Sequence, residues 1–328
     1  MWSEDIILSD GFGVDDLRAY NDVLPLPYTL VTLEQKTTCA ACDLSFLTGV
    51  TGLWVMGLTD ATLTLPPRLV HLSVDDGSRQ VTVSGTENLT SLSVSSEDSR
   101  TTPCPKLEKL CLSCGETLSD KTLPCSIADI PTLSKIHVMK DAIDPDFRFP
   151  TQLTSLYLKV FNGPVNVALV TSLTRLQFLN FNVDEGQDHP FDLSGLTMLT
   201  WLRSSDTPIS GLPSSLVECK VRLLSDTDLS SFNNLTMLDI SLHSKIRVTF
   251  PTGLKKLYVS SGQPFQSNIS DVALESYELK GWPRQITQED LEKLPKTLKH
   301  IDGFFEPESL KEHLHEMFPL YETHKDGN

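Results

Sequence analysis

Hydrophobic and polar residues alternate in one repeating frame along most of this chain. In a six-residue stretch, an aliphatic residue takes the first, fourth and sixth positions, and other residues fill the positions between them. The clearest copies begin at Leu69, Leu89, Leu107 and Leu153. Self-similarity with a fixed period of about 20 residues is typical of repeat proteins, in which each repeat forms one coil and neighbouring coils share a core.

Fourteen copies of the frame can be aligned, and they occur on average every 20.6 residues. Their first positions are Leu30, Val50, Leu69, Leu89, Leu107, Leu133, Leu153, Leu176, Leu199, Leu216, Leu235, Leu254, Leu274 and Leu298. We therefore predict three parts: an N-terminal cap over residues 1–25, a solenoid of about 14 coils over residues 26–303, and a C-terminal cap helix and tail over residues 304–328.

The frame predicts a strand in each coil. Successive side chains of a strand point to opposite faces, so the fourth and sixth positions both point into the coil. Stacked strands of this kind form a parallel sheet, and about 20 residues per coil rarely leave room for a full helix in the crossover. The predicted fold is a β-rich solenoid of the α/β class, with a parallel sheet on the concave face and extended or 3₁₀ turns on the convex face.

Two registers stay open in the middle of the chain. The copies there can begin at Leu176 and Leu199, or three residues earlier in each case. The first register leaves Phe178 and Trp201 on the exposed face of the sheet, whereas the second buries both rings.

The residues before the strands fall into two groups. Proline stands three residues before one group of leucines, as in Pro66, Pro150 and Pro251, and a Leu-Thr pair precedes the other group. These LPxxLxxLxV and LTxLxxLxL frames resemble the leucine-rich repeat family, the first its short bacterial-effector and protist repeats and the second its internalin-type repeats. The resemblance covers residues 26–303 and implies a binding solenoid. The asparagine that the family carries after the strand is mostly replaced here, as at Gly77 and Thr207, so we expect irregular coils.

The ends of a solenoid need polar caps. Residues 14–20 are predicted to form a short helix in the N-terminal cap. Near the other end, Thr287 and Asp290 have the spacing of a capping box, which predicts the start of a helix. Residues 308–317 place Leu310, Leu314 and Met317 at helical spacing for burial.

The alternate positions of each frame should form the exposed face of the sheet. Over all copies this face carries nine cations and six anions, in a chain with a formal charge of −16. Such a face would attract an acidic partner. Exposed aromatic residues beside cations are typical of binding hot spots. The candidate partner-binding residues are Lys135, Tyr157, Lys159, Phe178, Trp201, Arg203, Lys220 and Arg222.

Motifs for metal, cofactor or catalytic chemistry are weak in this sequence. Cys39 and Cys42, and likewise Cys111 and Cys114, have the spacing of a zinc or redox pair, but their strands lie about four coils apart and no histidine pair completes either site. We therefore predict no metal and no cofactor. The net charge of −16 also disfavours nucleic acid as a partner.

An odd count of seven cysteines, no apolar run of signal-peptide type and no stretch that could span a membrane favour a cytoplasmic location without membrane association. Export as an effector stays open.

The leading hypothesis is a non-enzymatic interaction scaffold that binds an acidic protein or peptide on its concave sheet. The alternatives are a structural, self-associating solenoid and a regulatory subunit associated with an enzyme. An enzyme is the least favoured reading.

Overall fold

A computed structural model of the chain describes residues 6–8, 18, 30–34, 41–75, 78–95, 99–113, 117–119, 123–124, 127, 130–161, 165–183, 190–204, 207, 209–242, 245–261, 265–280, 286–303, 305 and 308–322. The chain divides into two compact units. The first comprises Met1–Leu176 and Val183–Gly186, and the second comprises Gln177–Asn182 and Gln187–Asn328.

The strands of the first unit alternate between a main sheet and a line of short strands. In chain order they are β1 (Ile6–Leu8), β2 (Leu30–Glu34), β3 (Ala41–Asp43), β4 (Gly52–Met56), β5 (Thr62–Thr64), β6 (His71–Val74), β7 (Thr82–Ser84), β8 (Ser91–Val94), β9 (Arg100–Thr101), β10 (Lys109–Ser113), β11 (Lys135–Lys140) and β12 (Ser155–Val160). The main sheet has the order β1-β2-β4-β6-β8-β10-β11-β12, and β3-β5-β7-β9 form the second sheet.

The second unit repeats this plan. Its strands are β13 (Phe178–Val183, apart from its last residue, which belongs to the first unit), β14 (Phe191–Asp192), β15 (Trp201–Ser204), β16 (Ile209–Gly211), β17 (Glu218–Leu223), β18 (Thr227–Asp228), β19 (Met237–Leu242), β20 (Arg247–Thr249), β21 (Lys256–Ser261), β22 (Gln266–Ser267), β23 (Ser276–Lys280) and β24 (His300–Asp302). The main sheet has the order β13-β15-β17-β19-β21-β23-β24, while β14-β16 and β18-β20-β22 form two short sheets.

The main-sheet strands are parallel and stay in register from coil to coil. In thirteen of the fourteen copies the strand begins two residues after the first leucine of the frame, as at Ser155 after Leu153. Leu153, Leu156 and Leu158 have no exposed surface, and neither do Leu254, Leu257 and Val259 in the second unit. The alternation in the sequence therefore does place the aliphatic side chains inside the coils, where their burial stabilises the stack.

The first copy of the frame is the exception. Leu30 pairs in register with Gly52 rather than with Val50, so the predicted start of this copy lies two residues too late. A shift of two residues preserves which side chains share a face. Counting back two residues puts the first position of this copy at Tyr28. The other copies have leucine or valine at that position, so the sequence pattern alone does not reveal this one.

The N-terminal segment also adds a strand that the sequence pattern did not predict. Ile6–Leu8 pairs in parallel with β2, so the main sheet of the first unit extends beyond the aligned copies. The predicted helix over residues 14–20 lies outside the described residues, apart from Arg18.

Buried serine and threonine hydroxyls form hydrogen bonds inside the coils of the first unit. The Ser78 hydroxyl accepts a hydrogen bond from the backbone N–H of Leu58, in the preceding coil, at 3.2 Å. The fully buried Thr86 hydroxyl lies 2.6 Å from the Thr102 hydroxyl. Buried polar atoms are costly when unpaired, so these contacts are what permits polar residues inside the coils.

Helices are short and few among the described residues. They are α1 (Val167–Thr171), α2 (Gln288–Lys293) and α3 (Leu314–Met317), with 3₁₀ turns at Ile269–Asp271 and Glu308–His313. The capping box predicted at the start of α2 is confirmed, because Thr287 and Asp290 exchange both hydrogen bonds. No helix in the described part of the chain is long and apolar enough to cross a membrane.

Candidate binding face

The outward-facing side chains of each main sheet form what we call the open face of that unit. Along β10, and along β11 as far as Met139, every second residue is buried, while the residues between them are exposed or half-buried. The strands β17 and β21 show the same alternation. Residues that are 17 to 26 positions apart in sequence therefore become lateral neighbours on this face, about 4.8 Å apart from strand to strand.

Three lysines stand on neighbouring strands of the first unit. Lys109 pairs in register with Lys135, whereas Lys159 pairs with Met139, four residues further along β11 than Lys135. Lys109 and Lys135 are exposed. None of the three forms an ion pair with a described residue. Lys109 and Lys135 lie side by side, so their like charges repel each other, whereas Lys159 lies about 13 Å further along the strands, with its ammonium 4.6 Å from the centre of the Phe161 ring. We call Lys109, Lys135 and Lys159 the lysine cluster.

Two rings lie beside the lysine cluster. His137 and Tyr157 are paired in register, and their ring centroids are 4.0 Å apart with a tilt of 54°. Burial lowers the pKa of His137, and the positive charge of Lys109 lowers it further. The imidazole is therefore neutral more readily than an exposed histidine, and the cluster's positive charge comes from the lysines.

Stacked aromatic rings mark the open face of the second unit. Phe178 and Trp201 pair in register, with centroids 4.0 Å apart and planes within 9° of parallel. Leu176 and Leu199 are fully buried, whereas Phe178 and Trp201 are half-buried. The register that begins at these two leucines is the one that the chain adopts, so both rings remain on the open face.

The cations beside the stacked rings differ in their surroundings. Lys220 donates to the Asp239 carboxylate at 2.8 Å, and the Asp239 side chain is only 11% exposed. Arg203 stands in register between Asn180 and Lys220 and has no ion pair among the described residues. The Asp239 carboxylate therefore compensates Lys220 and leaves the guanidinium of Arg203 available.

A shallow pocket of about 370 Å³ opens on the same face. Its lining includes Trp201, Arg203, Glu218, Met237, Asp239 and Tyr258. Beneath it lies the buried thiol of Cys219, whose pKa is raised by burial and by the nearby charge of Asp239, so that it stays protonated.

The structure places all eight predicted binding residues on the open faces, in two groups. Lys135, Tyr157 and Lys159 lie in the first unit, and the other five lie in the second. Arg222, the last of these, is half-buried and pairs in register with Ser241. Whether these residues bind a partner stays a prediction.

Sequence reasoning placed several further residues on this face without assigning them to the site. In the first unit Lys109 belongs to the lysine cluster and His137 packs against Tyr157, while in the second unit Met237 and Tyr258 line the pocket. Their signal was present in the sequence, since each stands at an outward position of a copy. Only the register of neighbouring strands shows that they meet the predicted residues.

The cysteine pairs fall on different parts of the coils. Cys42 is buried in the short strand β3, and Cys111 is half-buried on the open face, while Cys39 and Cys114 lie outside the described residues. Over the described ranges, no group of three or more metal-binding side chains comes together.

Parallel strands that repeat in register, with ladders of buried leucine inside the coils, define the fold as a parallel-sheet solenoid. Comparisons with family models and with curated proteins give no match for the sequence. Among solved structures, the chain is similar to a crystal structure of an internalin from Listeria monocytogenes, at 14% sequence identity and a TM-score of 0.42. The similarity covers 92% of this chain and 81% of that chain. At this distance it carries no argument about function, and the fold rests on the strands and their register.

Proposed function

We propose that this protein is a non-enzymatic interaction scaffold that binds an acidic protein or peptide on the open face of its main sheet. The observation that carries the proposal is the lysine cluster of the first unit. Three cations on three neighbouring strands have no ion pair among the described residues. A ligand that brings carboxylates would relieve the repulsion between the adjacent Lys109 and Lys135 and gain charge-assisted hydrogen bonds from the lysines.

The charge of the whole chain supports the same partner chemistry. The formal net charge is −16, so an acidic ligand is repelled by most of the surface and attracted where lysines are grouped. Tyr157 and Trp201 add aromatic surface beside the cations, a composition that is typical of the residues that dominate binding energy.

The test is an affinity capture from cell lysate followed by measurement with the purified partner. The bait is the native chain or a variant in which Lys109, Lys135 and Lys159 are all changed to glutamine. We expect the variant to lose an acidic protein that the native chain retains, and to bind that purified protein at least about tenfold more weakly at low salt. Isothermal titration at two salt concentrations measures the difference.

A matched control removes the same charge from elsewhere on the chain. Lys106, Lys245 and Lys311 are exposed and stand outside the main-sheet strands. Their joint change to glutamine should leave the affinity measured at about 0.15 M salt within about twofold of the native value, because charges distant from the ligand are screened at that salt concentration. Equal losses in both triple variants would contradict the assignment to this face.

A further inference from the structure

The pocket of the second unit has aromatic walls on two strands. On one side Trp201 stacks against Phe178, and on its other side its register neighbour is Glu218, which lines the pocket. One face of the indole is therefore occupied, and the pocket adjoins the ring from the opposite side. Tyr258 forms the second aromatic wall, and the flexible, polarisable side chain of Met237 lies between the two rings.

These walls are held in place before any ligand arrives. The stacked Phe178 fixes the plane of Trp201. The ammonium group of Lys280 sits 4.7 Å from the centre of the Tyr258 ring and 3.6 Å from the Glu278 carboxylate. A pocket whose side chains are already ordered loses less conformational entropy when it binds.

Around the pocket, one cation and one anion form no ion pair with any described residue. Lys220 is compensated by Asp239, and Lys280 is compensated by Glu278. Arg203 and Glu218 remain, and they stand in different rows of the sheet, because Arg203 pairs in register with Lys220 whereas Glu218 pairs with Trp201 and Met237. A carboxylate would therefore be attracted to the row of Arg203 and repelled from the row of Glu218.

We propose that this pocket receives one aromatic side chain of the partner, and that a carboxylate next to it in the same segment pairs with Arg203. An aromatic ring suits this lining because stacked or edge-on contacts with Trp201 or Tyr258 and sulfur contacts with Met237 are favourable. The planar guanidinium of Arg203 suits a carboxylate, which it can bind through two parallel hydrogen bonds. This inference rests on the proposed function, and it names the chemistry of the segment that the open face would recognise.

The probes are three blocked peptides of equal length. The first is acetyl-Gly-Asp-Phe-Asp-Gly-amide, the second replaces Phe with Ala, and the third replaces both Asp with Asn. Binding is followed through the indole N–H signal of Trp201 in ¹⁵N-edited NMR spectra, assigned with the Trp201→Phe variant. We expect the first peptide to bind at least about tenfold more tightly than either of the others, a difference of about 1.4 kcal/mol.

Two substitutions at exposed or half-buried positions test the charge assignment without disturbing the core. Arg203→Gln should weaken the first peptide at least about fivefold and remove the difference between the Asp and Asn peptides. Glu218→Gln is the matched control in the same pocket, since it also removes one charge. It should strengthen binding of the first peptide about twofold or more, because it removes the repelling carboxylate.

The outcomes separate this inference from the proposed function. Equal affinities for the three peptides, or no movement of the Trp201 signal with any of them, would overturn the pocket assignment. In that case the lysine-cluster experiment could still identify an acidic partner, and the scaffold proposal would stand. Selective binding of the first peptide, together with no effect of the lysine substitutions on any captured protein, would support the pocket and overturn the role of the lysine cluster.

Discussion

Asp192 and Gly211 show how closely neighbouring coils approach at the scale of single residues. They pair in the short strands β14 and β16, and the backbone N–H of Leu193 donates to the Gly211 carbonyl at 2.9 Å. A Cβ atom built on Gly211 would collide with the Asp192 carboxylate. That carboxylate is not free to move away, because it accepts a hydrogen bond from the backbone N–H of Ser194.

We therefore predict that Gly211→Ala destabilises the protein by about 1–3 kcal/mol, either by displacing the Asp192 side chain from its turn or by shifting the strand. The midpoint of urea unfolding, followed by circular dichroism, measures the loss. Gly195→Ala is the matched control, because nothing lies within 4 Å of a Cβ atom built there. A loss of the same size in the control would show that glycine flexibility, and not the close approach of the coils, explains the result.

The sequence Asp-Leu-Ser recurs three times as an element of the coils. In each copy the backbone N–H of the serine donates to the aspartate Oδ1 at 2.9 Å, at Asp43, Asp192 and Asp228. The leucines between them, Leu44, Leu193 and Leu229, are buried. The aspartate thus closes a turn that directs the following leucine into the core, a common use of this side chain.

Hydrogen bonding makes these turns sensitive to acid. The pKa of Asp43 and that of Asp192 are lowered by the hydroxyl of the serine two residues on and then by its backbone N–H, and the pKa of Asp228 is lowered first by the backbone N–H of Ser230. A carboxylate whose pKa is lowered on folding stabilises the folded state above its ordinary pKa of 3.8. That contribution disappears as the pH falls through the lower value of the folded state.

We predict that changing Asp43, Asp192 and Asp228 together to asparagine reduces the acid sensitivity of folding. Asparagine keeps an oxygen acceptor for the turn but has no proton to gain. The free energy of unfolding of the variant should therefore change less than that of the native chain between about pH 5 and about pH 2. Urea unfolding at a series of pH values provides the measurement.

The control for this prediction makes the same three-charge change at Asp60, Asp141 and Asp146, whose carboxylates accept no hydrogen bond from the described residues. An identical flattening of the pH profile in this control would assign the effect to net charge rather than to the turns.

At the scale of the whole molecule, the large negative charge opposes self-association. With a formal net charge of −16, two copies of the chain repel each other when they approach, and salt screens that repulsion. We predict a mass of 36.4 kDa by static light scattering at all concentrations in low salt, the mass of a single chain. A mass that rises with concentration in about 0.05 M salt would favour the self-associating alternative instead. Repeating the series at about 0.5 M salt shows whether screening alone brings copies together.

Much of the fold was predictable because its unit is local. One strand of the frame occupies six residues, and the burial of Leu153, Leu156 and Leu158 follows from side-chain alternation within that stretch. The coil that begins near Leu30 shows the limit of this reasoning. A shift of two residues leaves the alternation intact, so only the pairing of Leu30 with Gly52 fixes the register.

The candidate site was predictable to a smaller extent. Outward positions could be read from the frame, and the chosen register at Leu176 and Leu199 is the one that exposes Phe178 and Trp201. Counting charges on the face could not show which of them are compensated. Whether Lys220 turns to Asp239 depends on the lateral spacing of strands that are 19 residues apart in sequence.

The sequence by itself determined the repeat, the parallel strands, the buried leucine ladders and the side chains of the open face. Each of these depends on the spacing of hydrophobic residues along the chain. The tertiary structure decided the added strand at Ile6–Leu8, the pocket lined by Trp201 and Tyr258, and which described cations near that pocket form ion pairs and which, like Arg203, do not. These features depend on contacts between different coils, whose distances follow from strand register and rotamer choice and not from the pattern within any one repeat.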